Sequence, residues 1–146
     1  MHPLRWVRGR PEVTGTAEYN QRVIQAANRL RDAQGDYLKA IAEHVTQERL
    51  YKLGEAKAML AVHDYKNADD RRAQVEARRV TIEDRPGEFT VNALRYAAHL
   101  AEGKRDAAKL AVQNYRTELS ALQSLISLEK SEAEFAKWAP HEAVGT

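Results

Sequence analysis

Two pairs of arginines, Arg71 with Arg72 and Arg78 with Arg79, stand seven residues apart. On a helix, seven residues make about two turns, so all four would point to one side. A guanidinium keeps its charge at any working pH and offers a fork of donors that matches phosphate oxygens. Lys57, Tyr65 and Lys66 lie just upstream, and an aromatic ring among cations is a surface on which a base can stack. The competing reading is that Asp69, Asp70, Glu76, Glu83 and Asp84 neutralise the arginines as surface ion pairs. Sequence alone leaves both open. A second basic group, Arg5, Arg8 and Arg10 with Trp6, sits among Pro3, Gly9, Pro11 and Gly15, which oppose regular structure. It reads either as a phosphate-binding arm or as a tail whose tryptophan packs on a neighbouring helix.

Other chemistry finds little footing. Cysteine is absent, which excludes disulfides and thiolate sites. No two of His2, His44, His63, His99 and His141 stand three or four residues apart, so no local metal motif forms. Glu43 and His44 are adjacent and face different ways on a helix, which argues against a ready acid–base pair. There is no glycine-rich phosphate loop and no nucleophile elbow. The expectation is a protein that is not an enzyme, with no cofactor and no metal. His44 falls on an apolar seam and reads as a core or interface residue. Tyr37, Tyr51, Tyr96 and Tyr115 read as packing residues with a hydroxyl at the core's edge.

The elements that position these residues are long. From Thr90 to Lys137, steps of four and three give Leu94, Ala98, Ala101, Ala108, Val112, Tyr115, Leu119, Leu122 and Ile126, interrupted only by Arg105. A helix of roughly 45 residues is about 70 Å long and needs an equally long partner. That partner, which Thr14 or Thr16 can cap, runs to about Lys66 through Tyr19, Val23, Ala27, Leu30, Ala33, Tyr37, Ala40 and His44. A parallel row of Ile24, Leu38, Ile41 and Val45 lets it face more than one neighbour. After Leu50 the stripe is expected to continue through Leu53, Ala56 and Leu60. Gly35 and Gly54 each weaken the helix by roughly 1 kcal/mol relative to alanine and mark places to bend. Between the long helices, Asn67 can cap a short helix from Ala68 to Glu83, and Asp84, Arg85, Pro86 and Gly87 read as a turn.

The chain is therefore expected to be all-α: an antiparallel, coiled-coil-like hairpin of two long helices around a short charged elbow helix, assembled into oligomers. Its divisions are a basic flexible arm at 1–15, a helical assembly domain at 16–139 and a flexible tail at 140–146. Val112, Tyr115, Leu119, Leu122 and Ile126 are the expected oligomerisation residues. With 146 residues, 43% hydrophobic and 30% charged, much of the apolar content alanine, a monomeric core would be thin. No run of about 18 apolar residues occurs, and a net charge of +2 does not announce a nucleic-acid partner by itself. A reducing cytoplasm fits the missing cysteines.

The stretch LSALQSLISLEKSEAEFAKW, ending at Trp138, and the two long helices around a charged elbow resemble small all-helical proteins of phage recombination modules, the UvsY-type mediator family. The likeness of layout covers Asn20 to Trp138. It implies homo-oligomers that bind single-stranded DNA without sequence preference. It further implies cooperation with a single-strand-binding protein and loading of a RecA-like recombinase in the host cytoplasm. The family's Lys-Ala-Arg segment falls on Lys57, Ala58 and Met59, with Tyr65 downstream; Met59 departs from it. The arginines of the elbow are read as taking over that phosphate contact. The alternative is a coiled-coil protein-interaction module, such as a phage inhibitor of a host factor or a scaffold.

Overall fold

In the computed structural model, residues 11–64, 66–83 and 85–145 are described, and their side chains over 17–64, 66–83 and 85–138. The order is α1 (Pro11–Ala61), α2 (Ala68–Ala77), β1 (Arg79–Ile82), β2 (Arg85–Thr90) and α3 (Val91–Gly145). The fold is all-α in character, with one small antiparallel hairpin inserted at the elbow. Helix therefore covers residues 11–15 of the expected arm and 140–145 of the expected tail. The arm residues Arg5, Trp6, Arg8 and Arg10, and Tyr65 at the elbow, lie outside the described residues.

The chain divides into two compact units, residues 1–33 with 111–146, and residues 34–110. In the first, Ala26, Ala33, Val112 and Leu122 are buried, and Arg29 donates to Glu118 at 2.6 Å from α1 to α3. Small residues on α1 let the helices approach closely, at the cost of little area per contact.

In the second unit the long helices pair antiparallel: Gly54 lies against Leu94, and His44 meets Arg105. The seam on α3 is the expected one, with Leu94, Ala98 and Ala101 buried. Its interruption is resolved locally. The half-buried Arg105 guanidinium donates to His44 Nδ1 at 3.0 Å and to Asp106, so the charge is satisfied within the seam. Asp106 leads in raising the Arg105 pKa. On α1 the buried line departs from expectation after Leu50. It follows Leu50, Gly54 and Ala58 and reaches Val62 in the turn just past the helix, leaving Leu53, Ala56 and Leu60 exposed. Steps of four advance about 40° around the helix each time. The line thus rotates toward α2 and the hairpin, which join the core there as Val75, Val80, Ile82 and Val91, with Tyr51 and Phe89 at its margin.

Gly54 permits this junction. A Cβ on it would stand 2.5 Å from Leu94 Cδ1 and 3.3 Å from Val80 Cγ2. The glycine therefore serves as a close-contact site. The hairpin pairs Arg79 with Thr90, Val80 with Phe89 and Thr81 with Glu88, then shifts register so that Ile82 meets Arg85. Gly87 in the extra stretch has φ +101°, a conformation that side chains with a Cβ rarely adopt. Thr90 Oγ1 accepts the Ala93 amide at 3.1 Å and so caps α3.

Candidate nucleic-acid interface

α2 begins where Asn67 caps it, its side-chain oxygen accepting the Asp69 amide at 2.9 Å, with Asp69 and Asp70 in the first turn. Ten residues later it ends, and this corrects the expected helix to Glu83. Arg78 is the C-cap, extended at φ −72° and ψ 138°, its amide still reaching the Gln74 carbonyl at 3.0 Å. Arg79 opens β1. The β-branched run Val80, Thr81, Ile82 alternates in and out of the core with period two, and that burial prevails over the helical spacing of the arginines.

The four arginines accordingly do not share one helical face. Arg71 and Arg72 lie with Ala68 and Val75 at the i, i+3, i+4, i+7 spacing of one α2 stripe. Arg78 and Arg79 stand beyond the helix end, exposed. Arg71 donates to the Lys66 carbonyl at 3.2 Å, which ties it to the loop. Lys57 donates to the Thr81 carbonyl at 2.7 Å and so anchors the hairpin onto α1. Lys66 is exposed. Basic and acidic residues are balanced over 57–90, yet Arg72, Arg78 and Arg79 form no ion pair among the described residues. Glu76, expected as a neutralising partner, is engaged by Arg95 at 3.0 Å instead.

Between α1 and α2 lies an open groove of about 280 Å³, lined by Glu55, Met59, Ala68, Arg71, Arg72 and Val75. Sequence reading missed Glu55 and Met59 as site residues. The available signal was their i, i+4 spacing beside the turn, which puts both on the side of α1 that α2 folds against. Glu55 is oriented by Tyr51, whose hydroxyl donates to it at 2.9 Å. Burial, and after it this carboxylate, raises the Tyr51 pKa above its usual value.

A second cleft, about 190 Å³, is lined by His44, Glu48, Tyr51, Arg95, Ala98, His99 and Glu102. Its polar groups are largely engaged by residues outside it: Tyr51 bonds Glu55, Arg95 bonds Glu76 and Asn92, and His44 Nδ1 accepts from Arg105. His44 Nε2 stands 3.4 Å from Glu48, and His99 Nδ1 stands 3.8 Å from Glu102. No group of three or more metal-ligating side chains forms among the described residues. None of their helices is long and apolar enough to cross a membrane.

Of the residues expected to hold subunits together, Val112 and Leu122 are buried within the chain, and Tyr115, Leu119 and Ile126 are half-buried. Exposed apolar side chains fall elsewhere. On α1 they include Leu38, Val45, Leu53 and Leu60, between 43% and 75% exposed. On α3 they include Leu125, Leu128 and Phe135. No family model matches this chain, and no curated protein or solved structure matches it either.

Proposed function

We propose that this chain is an oligomeric single-strand-binding protein of the recombination-mediator kind. The elbow contacts DNA phosphates and the long helices array several elbows together, so that a bound strand is held for a RecA-like recombinase. The observation that carries the reading is the set of exposed guanidinium groups, Arg72, Arg78 and Arg79, that have no carboxylate partner among the described residues. An arginine without an ion pair is free to exchange condensed counterions for phosphate contacts, which gives sequence-tolerant binding that weakens with salt. Self-association is supported by the exposed apolar side chains of α1, Leu38 and Val45 from its second row with Leu53 and Leu60 from its first, whose spacing of seven or eight residues makes a helical stripe along its exposed side.

Fluorescence anisotropy with labelled single-stranded oligonucleotides at several salt concentrations tests the reading. Three phosphate contacts predict a log–log slope of about −2. Replacing Arg72, Arg78 and Arg79 with alanine should flatten it, and absence of binding by the wild-type oligomer at low salt would sink the proposal.

The exposed apolar rows equally favour a second reading, a protein-interaction module that binds a host factor. Capture from host lysate after nuclease treatment separates the two. A DNA-bridged set of partners is lost on digestion, whereas a directly bound protein is retained.

A further inference from the structure

We propose that the groove between α1 and α2 accepts one unstacked nucleobase of a single strand, with the adjoining phosphate on Arg72; this rests on the single-strand reading above. The groove's about 280 Å³ falls just below the range usual for drug-sized ligands. It suits a group of one or two rings. Met59 and Val75 give it apolar walls, a thioether being a soft, polarizable surface for an aromatic face. At the rim, Arg71 is held by the Lys66 carbonyl and Arg72 is exposed beside it, so the cationic edge adjoins the apolar floor. A nucleotide has that same division, a flat ring joined to an anion. Glu55 supplies the remaining match. Its carboxylate has accepted one bond from Tyr51 and retains acceptor capacity for an exocyclic amino group, which cytosine, adenine and guanine carry. A carboxylate would repel a bound phosphate, so Glu55 also sets the orientation, with base inward and phosphate at Arg72.

The test compares labelled oligo(dC) with an abasic strand of equal length and charge. Alanine substitutions put base stacking at a fewfold to about a hundredfold in affinity per base. The wild-type protein should therefore bind oligo(dC) at least about fivefold tighter than the abasic strand. Ala68→Leu places an aliphatic plug in the groove, with no ring on which a base could stack, at an exposed position. It should bring the affinity for oligo(dC) down to that for the abasic strand, so that the ratio between the two strands falls to about one. Arg72→Ala should weaken both strands and reduce the salt slope by about 0.7. Equal wild-type affinity for the two strands, or discrimination that survives Ala68→Leu, overturns the base site and leaves phosphate binding standing. Failure to bind either strand overturns both proposals.

Discussion

Gly54→Ala sets two known effects against each other. In an isolated helix the change stabilises, by about 0.5–1 kcal/mol, because alanine loses less conformational freedom on folding. Here the new methyl carbon would sit 2.5 Å from Leu94 Cδ1 and 3.3 Å from Val80 Cγ2. Ordinary carbon–carbon contacts are about 3.5–4.0 Å, so one neighbour must move by about 1 Å. Leu94 is only 2% exposed and belongs to the core that includes Leu50, Val80 and Val91, which leaves its terminal carbon little room to swing away. Overpacking of this kind costs about 1–3 kcal/mol. The net expectation is destabilisation by about 1–2 kcal/mol, read as a melting point lowered by about 2–8 °C at fixed protein concentration. Gly35 is the internal control: a Cβ there meets nothing within 4 Å, so Gly35→Ala should raise stability by the propensity gain alone. Circular dichroism at 222 nm follows both. The Gly54→Ala/Leu94→Ala double variant should be less damaged than the sum of the singles by about 1 kcal/mol, since removing the leucine branch makes room for the methyl. A Gly54→Ala protein as stable as wild type, or a double variant with no coupling, would refute the close-contact account.

Asn67→Ala removes the cap of α2 and should cost about 1 kcal/mol, with faster amide exchange over residues 71–75 as a local sign. Tyr51→Phe removes the hydroxyl bonded to Glu55 and should cost about 1 kcal/mol near neutral pH. Because the Tyr51 pKa is raised in the folded protein, its contribution is complete below the unfolded value near pH 10. It declines as pH rises through the folded value. Denaturation curves from pH 8 upward should show wild type losing that share of its advantage, and an unchanged difference between the two proteins would refute the linkage.

The long helices were legible because their inward positions recur at helical spacing: Leu94, Ala98, Ala101, Val112 and Leu122 are all buried. Even Arg105 was visible as an interruption, although its partner His44 lies 61 positions away in sequence and no local rule finds it. The hairpin was obscured for a definite reason. The repeat of Arg71, Arg72, Arg78 and Arg79 fits a helical period, whereas Val80, Thr81 and Ile82 give a strand signal of only three residues. Burial of Val80 and Ile82 against α1 and α3 decided the matter, and that is a tertiary effect. Gly54 looked like a weak point because propensity is local, while the close approach of Leu94 depends on a residue 40 positions later. The groove was invisible for the same reason, since Glu55 and Met59 acquire Arg71 and Arg72 as neighbours only once the turn between the helices has formed.

The alanine content of the buried seams changes how the protein records substitution. Ala26, Ala33, Ala58, Ala98 and Ala101 are already as small as a truncating scan can make them. Shortening side chains would therefore find its sensitive positions mainly among the branched residues of the elbow core. Along the alanine seams, tolerance is bounded from above: the informative change is enlargement, and the permitted spectrum of substitutions there is set by a maximum volume with almost no minimum.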